Sequence, residues 1–526
     1  MKKIMGLVII LAALLLGGYY GMGLITERTI EKNVAIINQT NALFVDIDSY
    51  HRGWYTSTAV LNWRLHVPER VTKDQNGQTI TVPAEDYKMQ MPLTVYHGPI
   101  IFVDNTVKFG LGYARSQLQI PQPYAQKFDN QFTPDSIKPT LNLSLFVNYL
   151  NKSSFHIDLP KFKLIAKGTG DQFEWDGMDS NLTVSSNMQN IDGSFTIDGI
   201  SLLKNKMKAT LVKLSSDDDL HQTANGLYLG QASLTMPSFQ IMENQQKILD
   251  VEQFSVRSSS DIENDLFNSH FQASLDKVTS LGKTYGPAVV ELSLKNLDAQ
   301  VLAQINAQAN QIQQGTDRER QQALLAILPE LPKLFSKGAQ FEVSKLSFVV
   351  PEGKIEGNLL ISLPTDSASN PFQLLQKVSG HGSLKVPQPL LKEMVTALVR
   401  QRQANESPLQ QAMIQQMNNN APPQDAQNPS TDAEAKSDHS TTSTPENNQA
   451  QPQTKETTSG EDAPTKPLTA AESEQQIQTQ TDEKLSQMVQ SGLLSLQGNE
   501  YVIDISLEAG QLTVNGKPFT SAMIQF

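Results

Sequence analysis

The sequence contains no cysteine among its 526 residues. Disulfide bonds, thiolate nucleophiles, thiolate metal sites and a lipid-modified cysteine are therefore all excluded. A chain of this length has room for two or three domains, and without disulfides a large core must stabilise it.

Short motifs that mark common enzymes are also missing. There is no phosphate-binding G-x-x-x-x-G-K-[ST], no G-x-S-x-G, no H-E-x-x-H and no G-x-G-x-x-G. His51, His66 and His97 are too scattered to predict a metal site. The run 217–219 is Asp-Asp-Asp, which lacks the spacing and glycine of a calcium loop, so we expect a solvated turn. We predict no catalytic residue, no cofactor and no metal.

Basic clusters are absent, and the acidic charge is concentrated in one segment. The formal net charge is −12, and residues 403–480 carry eleven Asp or Glu and three Lys, a net of −8. A nearly neutral remainder argues against a nucleic-acid partner. The same segment has no aromatic residue and is rich in Gln, Asn, Ser, Thr and Pro, which predicts a disordered insertion. It is either a tether or partner-binding arm, or a tolerated loop insertion.

A single long uncharged run, Ile4 to Ile25, follows Lys2 and Lys3. Its 22 residues are enough for a helix to cross a bilayer, and the preceding lysines favour a cytoplasmic N-terminus. We therefore expect a single-pass inner-membrane protein with its body in the periplasm. A cleaved signal peptide is the alternative, but its apolar core would be shorter and would end at an A-x-A site, which is absent. Gly17 and Gly21 have the small-xxx-small spacing of helix dimers, although glycine is common in membrane helices generally.

Period-two alternation recurs along the body and predicts strands with one apolar and one polar face. It is clear in residues 58–67, 141–147, 155–159, 195–197, 355–363 and 501–507. Between Phe341 and Val350 the apolar positions change from odd to even, which indicates a β-bulge near Lys345. Helical periodicity is confined to residues 297–314, a segment through Leu324 to Leu328 broken by Pro329 and Pro332, residues 390–399 and residues 483–494.

The predicted fold is α+β, a mainly antiparallel meander forming a groove, a sandwich or a barrel-like sheet, with a few helices and one N-terminal transmembrane helix. We predict five segments. They are cytoplasmic residues 1–3, the anchor 4–25, a β-rich body 26–402 with helices near 297–335 and 389–402, the disordered insertion 403–480, and residues 481–526, a helix plus strands that return to the body.

Several short stretches are distinctive, and turn chemistry gives each a structural explanation. They are Arg52-Gly53-Trp54-Tyr55, Tyr96-His97-Gly98-Pro99, Ser280-Leu281-Gly282, Tyr285-Gly286-Pro287, and Val514-Asn515-Gly516-Lys517-Pro518-Phe519. In this order, after an N-terminal membrane segment, they resemble the YdgA-like family of Gram-negative envelope proteins, a domain of unknown function. The resemblance implies an inner-membrane anchor, a periplasmic body and self-association. It implies no enzymatic activity, so these positions transfer as markers of the fold.

The sequence leaves three functions open. The favoured one is a non-enzymatic, membrane-tethered protein that binds lipid or an envelope partner through amphipathic strands, an arrangement similar in architecture to the AsmA-like lipid-transfer proteins. The second is a dimeric structural or assembly scaffold. The third, a carboxylate-dependent hydrolase of envelope polymers, is disfavoured because no paired carboxylates stand out.

Overall fold

The computed structural model describes residues 2–38, 43–67, 70–73, 79–103, 105–187, 189–313, 327–365, 376–402 and 470–524. The side chains of residues 2–16 lie outside the described part. The chain divides into two units, one of Met1–Gln388 with Gly492–Gln525 and the other of Pro389–Ser491 with Phe526.

Six helices lie within the described residues. They are α1 Lys2–Ile37, α2 Gln122–Gln131, α3 Ala299–Gln313, α4 Leu331–Phe335, α5 388–402 and α6 Ala470–Ser491. Two 3₁₀ helices span Leu328–Glu330 and Ser521–Ile524.

Thirty strands lie within the described residues of the first unit. The first fifteen are β1 Leu43–His51, β2 Thr56–Val67, β3 Arg70–Lys73, β4 Thr79–Val82, β5 Glu85–His97, β6 Ile101–Val103, β7 Thr106–Lys108, β8 Gly112–Leu118, β9 Leu141–Val147, β10 Ser153–Leu159, β11 Phe162–Ile165, β12 Gln172–Trp175, β13 Met178–Val184, β14 Asn190–Ile197 and β15 Ile200–Lys204. The others are β16 Met207–Leu211, β17 Leu214–Gln222, β18 Tyr228–Glu243, β19 Gln246–Glu263, β20 Leu266–Leu275, β21 Lys277–Ser280, β22 Lys283–Tyr285, β23 Ala288–Asp298, β24 Gln340–Val350, β25 Gly353–Ser362, β26 Ser379–Pro387, β27 Ser495–Gln497, β28 Glu500–Glu508, β29 Gln511–Val514 and β30 Lys517–Pro518.

Most of these strands belong to one antiparallel sheet. Its main ladder runs β1-β2-β5-β8-β9-β10-β13-β14-β17-β18-β19-β20-β23-β24-β25-β26-β28-β29-β30. The long strands β18 and β19 also carry a side arm, in which β11, β12, β15 and β16 join β18, and β21 and β22 join β19. The end strands β1 and β30 do not pair with each other in the described residues, so the sheet stays open.

The predicted α+β class and antiparallel meander are confirmed, and the closed, barrel-like arrangement is wrong. The bulge is also confirmed: Glu291 pairs with Lys345 and Leu292 with Val343, which leaves Ser344 as the extra residue. The phase change that follows keeps Leu346 and Phe348 on the same face as Phe341 and Val343.

The backbone of the predicted anchor, Ile4 to Ile25, lies within α1, but most of its side chains lie outside the described part. In the part of the chain that the structure describes, no helix has the length and apolar character needed to span a membrane. The predicted transmembrane helix is therefore not confirmed, and the structure supports a helix alone.

Two local predictions need correction. Residues 217–219 lie in the middle of β17 and not in a turn, because the strand is paired on both sides, with β14 and β18. Pro329 and Pro332 lie at the first positions of two consecutive short helices, Leu328–Glu330 and α4, where a missing N–H is tolerated, and residues 324–326 of the helix predicted before them lie outside the described part.

The predicted insertion 403–480 is also too long. Residues 403–469 lie outside the described part, and residues 470–480 are the start of α6. This stretch contains helix-forming Ala, Glu and Gln, and Ile477, Thr481 and Leu485 form its buried stripe.

Candidate functional site

One face of the main ladder is apolar from strand to strand. In an antiparallel pair, directly opposite residues lie on the same face. Phe155 of β10 lies between Leu145 and Leu182, and Phe195 of β14 lies between Ser180 and Ser216. The large apolar residues that share this face from β9 to β20 include Leu141, Leu143, Leu145, Val147, Phe155, Ile157, Leu159, Met178, Leu182, Val184, Ile191, Phe195, Ile197, Leu214, Leu220, Leu234, Met236, Phe254, Val256, Ile262, Phe267 and Phe271. We call this the apolar face.

The opposite face of the same strands is polar. One row across it contains His156, Asn181, Ser194, Asp217 and Ser233, each directly opposite the next. This explains why three consecutive aspartates fit within β17: Asp217 and Asp219 lie on the polar face, and Asp218 is opposite Gly193 and Ala232, which leave it room.

The apolar face is only half-buried. Between Leu141 and Gly226 no hydrophobic side chain in the described residues is fully buried, and Phe155 and Leu182 remain 40% and 39% exposed. A packed core would bury such side chains, so this section of the sheet is not stabilised by the large core that the sequence predicts. Half-exposed leucine, isoleucine and phenylalanine side chains, interrupted by Ser180, Ser216 and Asp218, form a surface suited to apolar ligands.

Helices cover the apolar face at its two ends. At the first strands α1 lies over it: Gly23 faces His97 of β5, and Thr26 is the nearest neighbour on this side of Gly112 of β8. At the far end α3 and α4 pack beside β23 through the buried residues Leu297, Leu334 and Ala339. The half-exposed section therefore lies between two covered ends.

Two glycines allow α1 to pack closely against the sheet, and we call this contact, between Tyr19 and Gly98 and between Gly23 and His97, the seat of α1. Gly98 has φ of +128°, and a Cβ there would stand 2.0 Å from the ring of Tyr19. A Cβ on Gly23 would stand 2.7 Å from Cε1 of His97. Further along the chain, Asn38 at the C-terminal end of α1 makes two hydrogen bonds with the backbone of Val45. Its Nδ2 donates to the carbonyl at 2.8 Å, and its Oδ1 accepts from the N–H at 2.7 Å. Bulkier residues at either glycine would lift the helix from the sheet.

His97 is buried beneath α1 at 1% exposure, and Ser57, at 0%, is its hydrogen-bond partner, with 2.9 Å between Nε2 and Oγ. Burial lowers the pKa of His97 from its ordinary 6.5, and the backbone of Tyr19 opposes this shift. The Nδ1 atom makes no well-formed hydrogen bond. Neither side chain reaches solvent, and this Ser–His pair is part of the surface on which α1 packs.

The first distinctive stretch, Arg52-Gly53-Trp54-Tyr55, contacts the same helix. Arg52 donates to Glu27 of α1 at 2.9 Å and lies over the ring of Tyr20, 5.0 Å from its centroid. A Cβ on Gly53 would stand 2.2 Å from the Thr56 carbonyl oxygen, which explains the glycine. Trp54 is exposed and lies 5.9 Å from Tyr20, centroid to centroid. The Pro99 carbonyl accepts a hydrogen bond from Tyr149.

The other distinctive stretches lie on different strands and do not join this cluster. Tyr285 stacks on Phe348, Gly286 donates its N–H to the Val349 carbonyl at 2.7 Å, and a cis peptide bond precedes Pro287. Asn515 donates from Nδ2 to the carbonyls of Gly492, Leu493 and Val502.

The turn after Asn515 is the predicted Asn-Gly turn. Gly516 has a positive φ of 76°, and Lys517 and Pro518 return along β29 opposite Val514 and Thr513. In the part of the chain that the structure describes, no atom apart from the helix's own backbone lies within 4 Å of a Cβ added to Gly17 or Gly21 of α1. The sequence singled out neither Tyr19 nor Gly23; the signal that could have found them is the pair of tyrosines at the end of the apolar run.

Catalytic or metal-binding groups do not converge in the described residues. His66 pairs with Asp86 and His97 with Ser57, and no group of three or more His, Cys, Asp or Glu residues could hold a metal ion. The carboxyl groups with displaced pKa values, Asp86, Glu356 and Glu474, are all lowered, chiefly by hydrogen bonds from His66, Lys354 and Arg400. A general acid of a glycoside hydrolase needs the opposite shift.

No curated protein and no solved structure shows a significant similarity to the chain. One family model matches residues 1–522, and its description is "Bacterial protein of unknown function (DUF945)". The match confirms the expectation of a bacterial domain of unknown function that covers the chain. Because it extends over nearly the whole sequence, the chain belongs to the DUF945 family.

Proposed function

We propose that this protein is a non-enzymatic lipid-binding protein, tethered to the inner membrane through its N-terminus, whose body binds acyl chains on the apolar face. The observation that carries the proposal is the half-exposed layer of aliphatic and aromatic side chains from β9 to β20. Bound acyl chains would shield these side chains from water, and this burial would favour binding by about 25 cal/mol per Å² of apolar surface.

Membrane tethering rests on the sequence. The uncharged residues from Ile4 to Gly18 follow two lysines and precede Tyr19, where α1 begins to pack against the body, and the resemblance to the YdgA-like family implies an envelope location. A body held beside a bilayer has lipid as its most abundant apolar ligand. The polar face explains how such a sheet stays soluble on its other side, because His156, Asn181 and Asp217 meet water there.

The test uses neighbouring residues that point to opposite faces of β13. Full-length wild type, Leu182→Glu and Asn181→Glu are extracted in mild detergent, and co-purifying phospholipid per protein is measured by mass spectrometry. We expect lipid with wild type and Asn181→Glu, and at least about tenfold less with Leu182→Glu, since a carboxylate against an acyl chain costs more than about 1.4 kcal/mol.

Leu182→Met, which keeps the site apolar, should retain lipid, and circular dichroism should show that all the variants are folded. Wild type that carries no lipid would contradict the proposal. Equal loss from the Asn181 and Leu182 variants would also contradict it, because the faces would then not differ.

One observation favours the dimeric scaffold as a second function. Gly17 and Gly21 lie on one side of α1 with open space around them, as a closely packed helix pair needs. Since the chain has no native cysteine, Gly17→Cys should form a disulfide dimer in membranes if two α1 helices pack here. The control Gly23→Cys, on the side that faces His97, should not, and a monomer in both cases would remove the support for a dimer.

A further inference from the structure

Large apolar side chains are exposed together around the point where α1 meets the body. We call them the aromatic surface: Tyr20 of α1, Trp54, Phe102, Val107, Phe109 and Leu150. Phe102 is 67% exposed and Leu150 is 82% exposed. Isolated exposed apolar residues need no explanation, but a group of this size marks an interaction site.

A two-stranded hairpin holds part of the aromatic surface outward. In β6 and β7, Phe102 pairs with Val107, and both point to solvent. Their neighbours Ile101 and Val103 are buried in a cluster with Tyr113. The hairpin is therefore anchored through one face, while its other face presents apolar side chains that nothing in the described residues covers.

Hydrogen bonds and ring contacts tie the other loops to the same part of α1. Tyr19 donates to the Ile100 carbonyl at 2.5 Å, directly before the hairpin. Trp54 packs against Tyr20, and Tyr149, next to Leu150, donates to the Pro99 carbonyl. Three loops, which follow β1, β5 and β9, thus meet around residues 19 and 20.

The chemistry of the surface and the chain beyond it identify the partner. Tryptophan, tyrosine and phenylalanine prefer the headgroup level of a bilayer, where a ring meets apolar chains and its polar atom meets water. Described side chains begin at Gly17, and the residues before it, from Ile4, are uncharged.

We propose that the aromatic surface docks onto the headgroup region of the bilayer, so that the body sits on the membrane and does not swing from its tether. This inference rests on the proposed tether but not on lipid binding by the apolar face. Docking would also orient the sheet relative to the bilayer. The end at β5 and β8, which α1 covers, would lie next to the membrane.

Single cysteines test this directly, because the chain has none of its own. A nitroxide label is placed on Leu150→Cys, on Phe102→Cys and on the control Leu281→Cys. Leu281 is 81% exposed, as Leu150 is, but lies in the turn between β21 and β22. Full-length protein is reconstituted into phosphatidylethanolamine–phosphatidylglycerol vesicles, and collisions of each label with oxygen and with a water-soluble nickel chelate are measured.

We expect the labels at 150 and 102 to collide more with oxygen than with nickel, and the label at 281 to show the reverse. Equal nickel access at all three sites would overturn the docking, and vesicle flotation of the same protein would then show that the tether itself holds. Labels at 150 and 102 that are shielded from both reagents would also overturn it, because a protein partner and not lipid would then cover the surface. Protein that does not float with vesicles overturns the tether and the docking together.

Discussion

Gly23 of α1 lies directly against the imidazole ring of His97, with space for a hydrogen atom but not for a methyl group. Gly23→Ala should therefore displace the helix and destabilise the protein by about 1–3 kcal/mol, as overpacking usually does. Gly21→Ala is the matched control. No atom lies within 4 Å of its added Cβ, so it should stabilise the helix by up to about 1 kcal/mol. Thermal unfolding of the two variants should shift in opposite directions; equal midpoints would show that α1 is not seated on His97.

Burial of His97 should make the seat sensitive to pH. Its pKa in the folded protein is lowered from 6.5, so the unfolded chain binds more protons between the two values. The free energy of unfolding should have its maximal His97 contribution above about pH 6.5 and should fall as the pH decreases towards the pKa of His97 in the folded protein. Denaturation followed from pH 8 to pH 5 should show this slope in wild type and less of it in His97→Gln.

His66→Gln is the control for that experiment, because His66 is exposed on β2 and pairs only with Asp86. It should leave the contribution of His97 to the slope in place, because it does not change the burial of His97. If His97→Gln and wild type have parallel pH profiles, His97 does not titrate on unfolding in the way its burial implies.

Asn515 should stabilise the C-terminal strands through its side chain more than through its turn conformation. Its side-chain Nδ2 donates hydrogen bonds to three backbone carbonyls, and leaving such groups unpaired costs about 1–3 kcal/mol of folding free energy. Asn515→Asp keeps the oxygen that accepts the Asp504 N–H but loses the donor. Asn515→Gly keeps the positive φ without strain. Both should lower the urea midpoint, and a glycine variant as stable as wild type would show that the three hydrogen bonds contribute nothing.

The bulge in β24 predicts which residue of that strand can be deleted. Removing Ser344 leaves Val343, Lys345 and Leu346 in regular alternation, opposite Leu359, Asn358 and Gly357. We expect only a small loss of stability.

Deleting Ser347 in the same strand is the matched comparison. It moves Phe348 and Val350 to the other face, and a one-residue slip of this kind should cost several kcal/mol. Expression and thermal unfolding of the two deletions distinguish these outcomes. Equal damage would mean that the bulge has a role of its own.

Period-two alternation predicted strands, faces and even the bulge, because side-chain direction in a strand depends only on local spacing. It placed Phe155 on an apolar face but could not say that this ring stays 40% exposed in the described part of the chain, since coverage depends on elements distant in the sequence. The contact of Tyr19 with Gly98 escaped detection for the same reason. The three aspartates of β17 have the composition of a turn. They lie in a strand because β17 pairs with β14 on one side and with β18 on the other.

Strands β9, β10, β13, β14 and β17 form a sheet in which each member pairs edge to edge with its two neighbours. Inserting or removing two adjacent strands preserves both the chain direction and the alternation of faces. Relatives with more or fewer hairpins would thus lengthen or shorten the apolar face by roughly 10 Å per pair of strands. The seat of α1 at one end and the cluster around Leu334 at the other would be unaffected, so the span of this protein is a property that evolution can adjust in fixed steps.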